Sequence, residues 1–165
     1  MRALQAVGAF FSKEEVRLQI IVWGVWLWIL VLIAKQDRRT RTIPDRLTAC
    51  LMAAGLLSAL WTPQPGMVQR LAGALAVSVP MFVLNMVRPG AFGGGDVKLM
   101  AAGGVMLGAG GIWLAFCLAL LPAGGYSLLL LKKGKGKKAV FALGPFLCAG
   151  MAAAWMAGLL ERLAR

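Results

Sequence analysis

LQIIVWGVWLWILVLIA, residues 18–34, runs for seventeen residues without a charge and includes Trp23, Trp26 and Trp28. At about 1.5 Å per residue such a helix comes close to crossing the hydrocarbon layer of a bilayer. The rest of the chain matches it. Hydrophobic residues make up 60% of the 165 and the mean hydropathy is +0.78, more apolar surface than one water-soluble core can hide. The expected fold class is therefore an all-α, polytopic membrane protein. Spans of about 20 residues leave room for five to seven helices and none for a separate soluble domain, so residues 1–165 are expected to form one domain. The start has no short apolar run followed by a small-residue cleavage site, so the first span is expected to be retained rather than removed.

A basic stretch at 35–46 follows this span, then a second apolar run at 47–61 that ends at Thr62-Pro63-Gln64-Pro65-Gly66. Residues 67–87 make a third span, with Arg70 near its start and Pro80 as an expected kink. After Gly93-Gly94-Gly95-Asp96, a short helix is expected over 97–107, a break at 108–111 and a fifth span over 112–131. Gly103, Gly104 and Gly108 offer small surfaces for close helix packing. A basic loop at 132–138 leads to a sixth span at 139–160 containing Gly144-Pro145, which brings the expected count to six helices. Residues 3–17 read as an interfacial helix capped near Ser12.

The formal net charge of +12 resides in short patches between apolar runs, which is the pattern of topology signals rather than of a nucleic-acid surface. Alternating six spans puts 12 of the 18 Lys and Arg residues on one side. That side should be cytoplasmic, and it carries both Asp37 and Asp96. Cys50, Cys117 and Cys148 lie in apolar runs without a CxxC pair, so they read as buried, inert thiols rather than a disulfide framework or zinc site. The three tryptophans of the first span read as lipid-facing or interfacial anchors.

Catalytic chemistry is narrowed by elimination, because the chain holds no histidine and six acidic residues. Serine-histidine, cysteine-histidine and His-Glu-x-x-His mechanisms lack their groups, and no cofactor or metal is implied. A carboxylate pair survives. One ionised carboxylate takes a proton from water while the other, protonated, polarises the scissile carbonyl, and the two titrate as one coupled unit. Asp37 and Asp96 are the candidates. Gly93 and Gly95 would give the second its geometry, through backbone angles closed to other residues and room for a substrate strand. Pro44 would start the helix after Asp37, leaving Asp37 in a bent connection. Each residue also has a plainer reading. Asp96 could cap the helix it begins, and Asp37, among Lys35, Arg38, Arg39 and Arg41, could be a solvated interfacial charge. Asp45 reads as a cap or loop-pairing residue. Lys98 reads as a contact for lipid headgroups or a group that tunes the dyad.

Three segments carry a family resemblance. Asp37-Arg38-Arg39-Thr40-Arg41-Thr42-Ile43-Pro44-Asp45-Arg46-Leu47-Thr48 resembles the first motif of type IV prepilin peptidases. Gly93-Gly94-Gly95-Asp96-Val97-Lys98-Leu99 is similar to their Gly-x-Gly-Asp-x-Lys signature, and Gly144-Pro145-Phe146 to a segment of their final helix. The resemblance implies Asp37 and Asp96 as the catalytic pair of an intramembrane aspartyl protease. Its substrate would be a pilin-like precursor, cut at the cytoplasmic face of the cell membrane. Ala142-Leu143 stands where a proline and phenylalanine are common in the family. Larger members carry an additional N-terminal region with paired cysteines that methylates the new terminus. No such region is present in this sequence, so methyl transfer is not expected and the chain resembles the short forms associated with Tad or Flp pili and also archaeal preflagellin peptidases. The rival class is a non-enzymatic membrane protein, either a proton- or cation-coupled transporter or a pilus assembly factor. Against a transporter, both aspartates lie at segment ends and no internal repeat is found.

Overall fold

The computed structural model describes residues 13–62, 64–132 and 142–164. Among these, all regular structure is helical: α1 Lys13–Thr40, α2 Asp45–Ser58, α3 Met67–Ala76, α4 Ser78–Val87, α5 Gly94–Lys132 and α6 Gly144–Ala164. Among the described residues, four stretches are long and apolar enough to cross a membrane: Arg17–Thr40, Met67–Val87, Gly94–Leu129 and Gly144–Glu161. The third span is thus α3 and α4 joined at Val77. The joint has a local cause, because the ring of Pro80 conflicts with a helical carbonyl four residues earlier, at position 76.

The 39 residues of α5 are two legs. Gly108 has φ 71 and ψ 177, which no helix contains. On either side the chain doubles back: Phe92 and Phe116 lie 6.5 Å apart by ring centroids, whereas a straight helix would separate them by about 36 Å. A Cβ placed on Gly103 would stand 3.5 Å from the Ile112 side chain. Residues 94–107 and 109–132 therefore form a helical hairpin, and the described chain makes six helical legs, the number expected. The break is narrower than expected, since residues 109–111 are already helical.

Close packing is concentrated where glycines face each other. A Cβ on Gly73 would run into the Gly104 carbonyl, and one on Gly104 into the Gly73 carbonyl, so the third span and the first leg of α5 meet backbone to backbone. Gly55 brings α2 equally near Val105 and Met106. Leu30, Ile33, Leu51, Leu99, Met100, Leu147 and Met151 fill the centre, while the leucines and valines left exposed, such as Leu71, Val83 and Leu121, face outward as lipid-facing residues do.

Several expectations are corrected here. α1 does not stop at Ala34 but runs on to Thr40: Lys, Gln and Arg are good helix formers, and basic side chains are favoured in a last turn. Asp37 consequently lies inside a helix and not in a bent connection. The turn comes after it, at Arg41, which adopts φ 52, the left-handed conformation that commonly ends helices. Trp26 is fully buried rather than lipid-facing, while Trp28 is exposed. Only Cys148 of the three cysteines is buried; Cys50 and Cys117 are exposed. Residues 13–17 continue into the first span as one helix, and the remainder of the expected interfacial helix, residues 3–12, lies outside the described residues, as does most of the basic loop at 132–138.

The end of the bundle away from Asp37 is organised by Arg70, whose exposure is 1%. Its guanidinium donates to the carbonyls of Pro65 (2.8 Å), Gly55 (2.9 Å) and Val105 (3.1 Å), and to the hydroxyls of Ser58 and Thr62 (both 2.7 Å). Gly55 and Ser58 lie in the last turn of α2, and Val105 in the last turn before Gly108. These turns expose carbonyls with no partner inside the helix and carry negative partial charge. A cation at that point satisfies two helix ends together.

Candidate active site

Three helix ends and one turn converge at the opposite face. Asp37 comes from the last turn of α1, Asp96 from the first turn of α5, and Gly144 opens α6. The turn at 41–44 joins α1 to α2. Pro44 precedes α2 with φ −66 and ψ 130, and its carbonyl accepts the Leu47 and Thr48 amides. Proline suits this position because its fixed φ is compatible with helix entry and it has no amide to leave unsatisfied.

Asp37 is buried, at 5% exposure. One oxygen, Oδ2, accepts a hydrogen bond from the Gly144 backbone amide at 3.0 Å. Asp96 is half-buried. Its carboxylate folds back onto Gly93 and lies near enough to Asp37 for the two charges to act on each other. Asp96 is therefore not an N-cap: α5 starts two residues earlier, and the Asp96 amide is bonded to the Gly93 carbonyl at 3.0 Å. Nor is Asp37 a solvated charge.

Gly93 and Gly95 contribute in a way different from that expected. Neither has a positive φ; among the described glycines that conformation belongs to Gly90 and Gly108. What they supply is proximity. A Cβ on Gly93 would stand 3.0 Å from Asp96 Oδ2, and one on Gly95 3.0 Å from the Ile43 Cβ. The glycine turn thus packs onto the Ile43-Pro44 turn, joining two motifs about 50 residues apart in sequence. Lys98 reinforces the joint, since its Nζ reaches Asp45 Oδ1 at 2.8 Å and Oδ2 at 2.9 Å. Asp45 is a loop-pairing residue, and the partner of Lys98 is a carboxylate of this chain.

Two neighbours of the aspartates escaped the sequence reading of the site. Gly144 belongs to a motif visible in the sequence, but its hydrogen bond to Asp37 is not. Cys148, one turn further along α6, is buried within reach of the charges of both carboxylates. A glycine followed by proline at a helix start was the available signal for the first; none distinguished Cys148 from the other two cysteines.

The arrangement offers two carboxylates, one held by a backbone amide, at the end of an apolar bundle. That is the equipment for paired acid and base work on a water molecule. Among the described residues no three His, Cys, Asp or Glu side chains are grouped to hold a metal ion. A cavity of about 620 Å³, lined in part by Trp23, Arg70, Leu107, Trp155 and Glu161, opens at the other end of the bundle and takes in neither aspartate.

Comparison with known proteins agrees with the motif resemblance. The profile of the type IV leader peptidase family matches residues 24–128, a stretch that includes Asp37 and Asp96. The prepilin leader peptidase/N-methyltransferase of Bacillus subtilis (strain 168) is 26% identical over 144 residues, covering 87% of this chain and 58% of that protein. The protein of the same name from Klebsiella pneumoniae is 38% identical over 104 residues, covering 60% of this chain and 44% of that protein. The chain thus spans about half the length of these relatives. No solved structure matches.

Proposed function

The chain belongs to the type IV leader peptidase family, and from that premise we propose that it is an aspartic endopeptidase in which Asp37 and Asp96 form the catalytic pair. The observation that supports this most directly is their electrostatic proximity. Two carboxylates 59 positions apart, 37 and 96, come within electrostatic reach of each other at the end of a bundle of apolar helices. One carboxylate would accept a proton from the attacking water while the other donates to the carbonyl oxygen of the scissile peptide. Proton transfers of this kind contribute about 10² to 10⁴-fold each.

The substrate we propose is a pilin-like precursor, cut between its leader and the apolar helix that follows. A peptide bond at the membrane surface suits a dyad placed at the ends of helices, and the excess of Lys and Arg on the aspartate side favours a cytoplasmic orientation for it. Membrane lipid is the other constant neighbour.

The test is co-expression with a pilin-like precursor from the same genome, reading precursor size on a gel. Wild type should shorten the precursor, and Asp37→Asn and Asp96→Asn should each leave it full length while remaining folded in the membrane. Cleavage retained by either variant would remove the two-aspartate mechanism. A folded wild type that cuts none of several precursors would point instead to an assembly factor or transporter.

A further inference from the structure

The first turn of α6 leaves one backbone amide to spare. Phe146 and Leu147 donate to the Leu143 carbonyl at 3.0 and 3.2 Å, and Pro145 has no amide hydrogen to give. Gly144 is what remains, and its amide points to Asp37 Oδ2. Helix N-termini carry partial positive charge on these unpaired amides, so the contact favours a carboxylate at this spot.

The same glycine also leaves the room in which that carboxylate stands. A Cβ on Gly144 would lie 2.6 Å from Asp37 Oδ2, 2.9 Å from its Cγ and 3.1 Å from its Cβ. Carbon and oxygen do not approach at the first of these distances, so any side chain at 144 forces the carboxylate out of its place. Gly144 itself is buried, which leaves little freedom for α6 to retreat.

We propose that Gly144 is a positioning residue for Asp37: its amide holds Oδ2, and its missing side chain sets how near α6 stands to α1, so that the start of α6 aims the Asp37 carboxylate at Asp96. The proposal rests on the two-aspartate reading above. It makes the dyad a three-helix construction, in which α1 and α5 bring the carboxylates and α6 orients one of them.

The test is a double-substitution cycle on the full chain purified in detergent, combining Gly144→Ala with Asp37→Gly and reading both cleavage and thermal unfolding. Gly144→Ala alone should lower kcat by about 100-fold, the penalty typical of an ångström-scale misplacement, with KM changed less than threefold. It should also lower Tm by several degrees in the parent and leave Tm nearly unchanged in the Asp37→Gly background, where the displaced atoms are gone. Should Gly144→Ala fail to fold in the parent but fold in the Asp37→Gly background, the coupling is present in its strongest form and the proposal stands. An equal loss of Tm in both backgrounds, failure to fold in both, or a wild-type kcat in Gly144→Ala would overturn it. If the parent itself cuts no precursor, the peptidase reading has failed, and the Tm cycle still decides whether Gly144 acts on Asp37.

Discussion

At one end of the bundle Arg70 gives its guanidinium to acceptors drawn from three segments of the chain. At the other end Asp37 accepts a single hydrogen bond among the described residues, from Gly144, and lies within electrostatic reach of a second carboxylate. Both charges are buried at helix termini of favourable sign, Arg70 where α2 and the first leg of α5 end and Asp37 where α6 begins. They differ in saturation. The arginine has its donors engaged and acts as a fixed joint, whereas the aspartate, among the described residues, keeps acceptor sites open. Burial alone therefore says little about the use of a charged group; the number of its sites already occupied says more.

The sharpest way to break this contrast is to neutralise both ends without changing size or shape more than necessary. Asp37→Asn and Asp96→Asn should each lower cleavage by at least about 10³-fold while Tm, followed by thermal unfolding in detergent, stays close to that of the parent. Arg70→Met should do the reverse, with a loss of about 1–3 kcal/mol of stability for each acceptor left unsatisfied and poor accumulation in the membrane, because it removes the guanidinium donor from the carbonyls of Pro65 and Val105. Any cleavage lost in Arg70→Met should return in proportion to the folded fraction; an inactive but fully folded Arg70→Met would erase the division of labour. Gly73→Ala should cost about 1–3 kcal/mol by overpacking against the Gly104 carbonyl, measured by the same unfolding assay. The smallest effect should come from the Lys98–Asp45 pair, whose side chains are 58% and 73% exposed. Removing either partner should change stability by about 0.5 kcal/mol or less, and exchanging the two residues should restore whatever cleavage the single substitutions lose.

The apolar legs were legible in the chain because their signals are local. Runs such as 18–34 and 67–87 declare themselves by length and lack of charge, and Gly108 and Pro80 mark the break and the bend. The aspartates stood out as candidates for a different reason: with no histidine in the sequence few other groups could do chemistry. What was hidden depends on partners distant in sequence. Residues 35–40 look like a loop because they are basic, yet they continue α1, and the start of α6 packs against the buried Asp37. Trp26 has the same local surroundings as Trp28 and the opposite exposure. Arg70 meets a carbonyl 35 residues away, and Gly144 meets a carboxylate 107 residues away. No local pattern encodes either contact.

The hairpin at Gly108 has a consequence for the lipid. By ending the first leg of α5 after 94–107, it leaves that leg about 21 Å long, and α2, with 14 residues, is the same length against a hydrocarbon layer of about 30 Å. The two short legs pack side by side, and α2 turns Cys50, Leu56 and Leu57 outward. A bilayer meeting that flank is expected to thin toward it, at a fraction of a kcal/mol per ångström of mismatch, which would bring headgroups and water down beside the bundle where its shortest helices stand.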